Sequence, residues 1–300
     1  MQPANYHTHT TFSDGLEAPE AYVLEAMNQK LAACGFSDHA PILFDPSRPH
    51  LFMSTVQLSG YLAEIERLKK VYSGRVQVYK SLEVDYVPGV VSVDSEHIRN
   101  AGLDYTIGAV HFVDYYPKGR PWYFAGSERG FARGLEEIFR NDIRACIQRY
   151  YNLVREMVQL HPPDIVAHLD LVKKINPGGR YFSEQAPWYR EEVGKTLEGI
   201  ANAGLIMEVN TQGYYKHGAE EPYPSRWVIS LAKELGIPMH LASDAHRPQD
   251  VAAGFPPVME MLYDIGLSTL RIFEHGRWID RPIAPLSRFN APLAKKEMGK

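Results

Sequence analysis

Cysteine is nearly absent from this chain. Cys34 and Cys146 are the only two in 300 residues. Both are read as lying in helical stretches, so buried free thiols are expected rather than a disulfide, and a reducing compartment fits. Long apolar runs are also missing. The first residues, MQPANYHTH, have neither a basic n-region nor an apolar h-region. The expectation is a cytoplasmic protein with no membrane partner. Positive charge is in short supply too: 32 Lys and Arg stand against 36 Asp and Glu, a formal net charge of −4. That balance argues against a nucleic-acid partner, which would need clustered Lys and Arg. The count omits bound cations, so local positive charge remains available. A Gly/Ser-rich linker, a low-complexity tract and a glycine-rich phosphate loop of the P-loop type are all lacking.

What is present reads as an ordinary core-forming chain, with 45% hydrophobic and 23% charged residues. Amphipathic stretches at 18–33, 54–73, 130–160, 187–203 and 225–235 have helical spacing. Pro19 suits a first helical turn, Ser225 is placed as an N-cap, and Gly35, Gly74 and Gly236 are placed as stops. Between them lie strand-like runs at 4–6, 34–37, 76–84, 105–110, 164–167, 205–209 and 237–242. Alternation of this kind predicts parallel βα units. An eighth run, STLRIF at 268–273, follows a change of pattern. The expected organisation is one domain over 1–300, with 268–300 as an add-on packed on it. The Pro-rich tail from Asp280 is expected to wrap the surface.

The strand-like runs share a feature: nearly all finish in a metal-ligand residue type. They deliver His7 and His9, Asp38 and His39, Glu83 with Asp85 beyond it, His111, His168, Asn210, and Asp244 with His246. In a closed parallel barrel all strand C-termini open on one face, so these distant residues would converge there. Residues i and i+2 of a strand project to one side, so His7 and His9 can grip one ion, as can Asp244 and His246. Imidazole and carboxylate without thiolate suit Zn²⁺, Mn²⁺ or Fe²⁺ better than Cu(I) or an iron–sulfur cluster. So many histidines exceed one tetrahedral ion; two or three divalent ions are implied, with Glu83 as the bridging carboxylate. A water held between such cations loses a proton near neutral pH. Asp14 can cap the helix that begins near Ala18 or serve as a ligand, and the residues leave both open. Asp85 and Asp170 are read as supporting or turn residues. His50, His97, His161, His217, His240 and His275 are read as ordinary histidines, His217 being the first exception to consider because it follows the sixth strand.

The series His7-Thr8-His9, Asp38-His39, Leu82-Glu83, Gly108-Ala109-Val110-His111, Ala167-His168-Leu169-Asp170 and Ser243-Asp244-Ala245-His246 resembles the PHP (polymerase and histidinol phosphatase) superfamily. GAVHFVD at 108–114 and the later RYYNLVREM are similar to its histidinol-phosphate phosphatase branch. The resemblance spans about residues 5–250. It implies a distorted (βα)₇ TIM-like barrel with the metal site at the C-terminal face of the strands. It also implies three ions: one on His7, His9, Glu83 and Asp244; one on Glu83, His111 and His168; one on Asp14, His39 and His246. The implied activity is metal-dependent phosphomonoester hydrolysis, most closely L-histidinol phosphate to L-histidinol and phosphate. Attack would come from a metal-bridging hydroxide held by Glu83 and Asp244.

Cationic side chains should complete a phosphate pocket. Lys118, Arg120, Arg129, Arg180 and Lys216 follow strands and are candidates, with His217 beside them. The loop after Asn210 reads TQGYYKHG, where the resemblance leads one to expect Arg near Tyr215 or Lys216. The aromatic loop PWYF at 121–124 is placed as a cover over the site. A rival is an amidohydrolase-type centre using a carbamylated Lys80, which would leave Asp14, His39, Glu83 and His246 without a role. A DNA-processing exonuclease of the same superfamily is disfavoured by the charge balance. A non-enzymatic binding protein would tolerate a missing bridging ligand, and none is missing. The sequence carries no sign of oligomeric state.

Overall fold

The computed structural model describes residues 2–42, 51–219 and 221–283. Its strands are short and parallel, and they close into a barrel. The first sheet holds β1 (Ala4–Asn5), β2 (Ala33–Phe36) and β3 (Gln77–Lys80) in that order. The second holds β4 (Glu83–Asp85), β5 (Ile107–Ala109), β8 (Ile165–Val166), β9 (Ile206–Asn210) and β10 (Met239–Ala242). Parallel bridges join the two sheets at both seams, His39 with Glu83 and Thr8 with Ala245. The single run expected at 76–84 is thus one barrel strand broken between Lys80 and Glu83 into β3 and β4. The break lets Ser81 N–H donate to Phe36 O at 2.8 Å while Glu83 N–H donates to Ser37 O at 3.1 Å, so pairing continues around the bend. Counting β3 and β4 as one leaves the seven barrel strands expected.

Helices cover the outside because their stripes of apolar side chains need a partner. α1 (Pro19–Asn28) starts on Pro19 and stops five residues before the expected end at 33. The chain then turns through Lys30, whose φ of 59° is left-handed, to begin β2 at Ala33. Cys34 is therefore on a strand, not a helix, whereas Cys146 is helical; both are buried and free. α2 (Thr55–Val71) opens with a capping box between Ser54 and Gln57. A short α3 (Glu96–Arg99) precedes β5. The long helix expected at 130–160 is two: α4 (Glu128–Phe139) and α5 (Ile143–Leu160). Arg140 and Asn141 take left-handed φ of 52° and 64°, and Asp142 then caps Ala145 N–H, so the helical spacing runs through a break it does not reveal. α6 (Pro187–Ala203), α7 (Gln212–Tyr215) and α8 (Arg226–Glu234) follow. Ser225 sits at the N-cap as expected, but its hydroxyl and N–H both donate to Asp170 Oδ2 at 2.8 Å instead of capping. α9 (Phe255–Asp264) was not anticipated.

Two hairpins complete the chain. β6 (Phe112–Tyr115) pairs antiparallel with β7 (Pro121–Tyr123) beside the strand C-termini. β11 (Thr269–Glu274), the eighth strand-like run, pairs antiparallel with β12 (Arg277–Pro282). This second hairpin seals the N-terminal mouth of the barrel. Tyr79 O–H donates to Phe273 O at 2.7 Å, and Phe273 N–H donates to Tyr6 Oη at 2.9 Å. Tyr6, Tyr79, Tyr105, Ile107, Ile165 and Ile206 fill the barrel interior against Ile272 and Phe273. With that end filled, polar side chains can collect only at the other end. Of the tail expected to wrap the surface from Asp280, residues 280–282 belong instead to β12; residues 284–300, and His50, lie outside the described residues.

Candidate metal centre

At the C-terminal ends of the strands, the interior changes from apolar to ionisable within one or two residues. Beyond Tyr6, β1 continues into His7 and His9, both 1% exposed or less. His39 follows β2, Glu83 opens β4, His111 follows β5, His168 follows β8, and Asp244 and His246 follow β10. Asp14 comes from the turn after His9. That turn needs Gly15: a Cβ there would lie 2.1 Å from His9 O and 2.5 Å from Thr10 Cα. Asp244 has a left-handed φ of 52°, a strained conformation for a non-glycine residue at a site of this kind.

The side chains meet. His7 Nε2 and His9 Nε2 are 3.0 Å apart, and Asp244 Oδ1 lies 3.8 Å and 3.2 Å from them. Glu83 is central. Its Oε2 is 3.6 Å from His7 Nε2, 3.5 Å from His9 Nε2 and 2.9 Å from His39 Nδ1, while its Oε1 is 3.0 Å from His168 Nε2 and 3.8 Å from His111 Nε2. Asp14 Oδ1 is 3.3 Å from His9 Nδ1, and its Oδ2 is 3.3 Å from His246 Nε2 and 3.9 Å from His39 Nε2. Compact ligand groups form on His7, His9 and Asp244, on Glu83, His111 and His168, and on His9, Asp14 and His39. A further group, His39, Asp85 and His111, is compact as well. Asp85 Oδ1 already accepts from the His111 ring at 3.0 Å and the His111 N–H at 2.9 Å, which suits an orienting role.

The electrostatics are those of an anion cage lined with bases. Burial works to raise Glu83, Asp244 and Asp14, but the neighbouring imidazoles outweigh it and hold all three well below the usual carboxylate range. Burial likewise works against a charged His9, yet Asp14 and Asp244 draw its pKa up to about 10. The field that attracts protons to these rings attracts divalent cations equally, and cations displace the protons. Asp244 Oδ1 is a buried oxygen with no hydrogen-bond partner, and three imidazole nitrogens face it: His9 Nε2 at 3.2 Å, His246 Nδ1 at 3.5 Å and His7 Nε2 at 3.8 Å. An unpaired buried carboxylate oxygen is costly, and a cation satisfies it. The donor set of nitrogen and oxygen without sulfur fits the same class of ion.

A cavity of about 250 Å³ opens onto this cluster and is lined also by Leu51, Tyr123, Leu171, Lys174, Gln212 and Lys216. Of the anticipated cationic residues, Lys216 lines it. Lys118 and Arg129 are exposed elsewhere, Arg120 lies over the Tyr116 ring, and Arg180 pairs with Glu128. They do not line the cavity because the hairpin carries Lys118 and Arg120 outward, α4 carries Arg129, and Arg180 is held to Glu128 of α4. His217 is half-buried, with Nδ1 3.2 Å from Tyr223 Oη; burial, then Lys174 and Lys216, push its pKa down to about 4. Lys80 is 3.9 Å from Glu66 of α2, outside the cluster. The PWYF segment forms a wall of the cavity: Trp122 and Phe124 are buried, and Tyr123 faces the cavity. Asp38 turns from the cluster to accept from Thr10 N–H, Thr10 O–H and Ser13 O–H.

Two residues escaped the sequence reading. Lys174 lies in the LVKKI turn after His168, and that position alone gave no sign that it faces the site. Glu208 sits inside the apolar run LIMEV, where a lone acid between buried residues was a visible signal. Its Oε1 accepts from His7 Nδ1–H at 2.6 Å.

The sequence profile of the PHP domain matches residues 5–212. A "probable histidinol-phosphatase" of Deinococcus radiodurans is 30% identical over 90% of this chain and 96% of its own length. The histidinol-phosphatase of Bacillus subtilis is 27% identical over 87% of this chain and 99% of its own. The crystal structure of histidinol phosphate phosphatase from Lactococcus lactis, complexed with zinc, L-histidinol and phosphate, has a TM-score of 0.69 at 20% identity, covering 93% of this chain and 99% of that one. The profile covers more than half of the chain and the relatives most of it, so the chain belongs to the PHP domain family, on the branch whose members carry the name histidinol-phosphatase.

Proposed function

We propose that this protein is a metal-dependent phosphomonoesterase that hydrolyses L-histidinol phosphate to L-histidinol and phosphate. The observation that carries the reading is the convergence of imidazoles and carboxylates from six strand ends on one cavity, with a buried oxygen of Asp244 left without a hydrogen bond among them. The relatives on which the substrate rests cover nearly their whole length.

The reading assigns His7, His9, Glu83 and Asp244 to one divalent ion. It assigns Glu83, His111 and His168 to a second, and Asp14 and His39, with His246 or His9, to a third. Such ions, when bound, polarise phosphoryl oxygens and lower the pKa of a water. Glu83 spans the sets through its two oxygens, so its charge opposes repulsion between cations on either side. Lys174 and Lys216 complete the recognition. Both line the cavity, and neither has an ion pair among the described residues. Lys174 is half-buried, and burial followed by Lys216 lowers its pKa; an incoming phosphate dianion relieves that mutual repulsion. A lysine supplies a point charge where an arginine would supply a planar fork, so phosphate orientation falls more heavily on the ion cluster. Tyr123, Leu51 and Leu171 offer an apolar wall to the organic part of the ester. We read the chain as one barrel unit with the C-terminal hairpin as its plug.

The test is turnover of a phosphomonoester panel, L-histidinol phosphate included, by protein loaded with Mn²⁺ or Zn²⁺. Preferred hydrolysis of L-histidinol phosphate is expected. Full metal content with no turnover of any ester would overturn the enzymatic reading, and turnover of others alone would overturn the substrate.

A further inference from the structure

Glu208 lies in the middle of β9 with no exposed surface. Burying a lone carboxylate costs several kcal/mol unless it is fully hydrogen-bonded, and an apolar residue would pack there without that cost. Both its oxygens accept hydrogen bonds, and the partners are unusual. Oε1 accepts from His7 Nδ1–H at 2.6 Å. Oε2 accepts from the His168 backbone N–H at 2.9 Å and from Asn210 Nδ2 at 3.0 Å. The same Asn210 amide donates to Asp244 Oδ2 at 3.2 Å. One buried acid therefore touches the ring of one metal-ligand candidate, the backbone of a second and, through a single amide, the carboxylate of a third.

We infer that Glu208 is a positioning residue of the metal centre, which locks the His7 ring and ties it to the strand ends that carry His168 and Asp244. An ionised carboxylate only accepts, so Nδ1 of His7 carries a ring proton, and Nε2 is left as the nitrogen a metal ion would take. That Nε2 is the atom facing His9 Nε2 at 3.0 Å and Asp244 Oδ1 at 3.8 Å. A ring without this partner could rotate about its χ2 or exchange its tautomer, and either change withdraws a ligand. A purely structural acid would need only backbone donors; here the shortest contact is to the ring of a ligand. The role rests on the reading of the cluster as a divalent-ion centre.

The experiment is titration of the full-length, chelator-stripped chain with Co²⁺ and Zn²⁺, comparing the parent with Glu208→Gln. The glutamine keeps the shape but brings an NH₂ group against the His168 N–H or the His7 ring. One ion per chain should bind roughly 10–100-fold more weakly, and the visible Co²⁺ spectrum should change. The melting temperature of the metal-free variant should stay near that of the parent. Parent-like affinity and spectrum, with or without a lower melting temperature, would overturn the role. Should Glu208→Gln fail to fold, Asn210→Ala tests the same chain of contacts, with about tenfold weaker binding of that ion expected and parent-like binding counting against it. A parent that binds neither metal defeats the centre and this role together, whereas a parent that binds and variants that bind equally defeat the role alone.

Discussion

Glu83 illustrates how much one residue can carry. Its carboxylate is 1% exposed and contacts five imidazoles from four segments of the chain. Replacement by glutamine keeps the volume but removes the charge that offsets the burial of neighbouring cations. We expect Glu83→Gln to lower both metal content and turnover, the latter by roughly 100-fold or more; elemental analysis beside a rate assay checks this, and retained turnover would contradict a bridging role. His39 sits at the edge of the cluster, between Glu83 and Asp14. His39→Ala should remove about one ion per chain and leave the others loaded. An unchanged metal count would reassign that ring.

At the scale of the element, the β6–β7 hairpin shows how a site wall is held still. Trp122 is 2% exposed, and its ring packs so closely on α4 that a Cβ at Gly134 would lie 2.0 Å from it. Its indole N–H donates to Gly130 O at 3.2 Å. The next residue, Tyr123, faces the cavity. Trp122→Ala should cost about 3–5 kcal/mol in urea unfolding and raise KM more than it lowers kcat, because the ligand residues stand on other elements. A larger effect on kcat than on KM would place the hairpin within the reacting centre. The broken strand and the split helix belong to this scale as well. Period alone cannot show a bend at Ser81 or a left-handed pair at Arg140 and Asn141, since both preserve the apolar spacing on either side.

Across the whole molecule, the barrel has one sealed end and one reactive end. The seal includes His240, whose two ring nitrogens have no hydrogen-bond partner and whose ring packs against Tyr6 and Trp278 at centroid distances of 5.7 Å and 6.1 Å. Burial pushes its pKa down to about 4. The unfolded chain takes up a proton on this ring below pH 6.5, but the folded chain does not until about pH 4. Stability is therefore present above pH 6.5 and lost progressively between 6.5 and 4, by roughly 2 kcal/mol at pH 5. His240→Leu should narrow the difference in urea stability between pH 7 and pH 5 by about that amount. An unchanged difference would show that the ring finds a partner when charged. The described helices include none long and apolar enough to cross a membrane.

The sequence by itself determined the parallel alternation, the number of barrel strands and the residue types at their ends. Those features are local: a strand alternates with period two, and a ligand just past its end needs no distant information. The resemblance supplied the grouping into ion sets and lifted Asp14 from cap to ligand. Only the tertiary structure brought Lys174 and Lys216 to the cavity while carrying Lys118, Arg129 and Arg180 away. It alone aimed Glu208 at His7 across 201 positions of chain. The physical reason is that a charge's role depends on what lies within a few ångströms and on how much water is excluded. Both are set by packing between segments far apart in the chain, which no local pattern records.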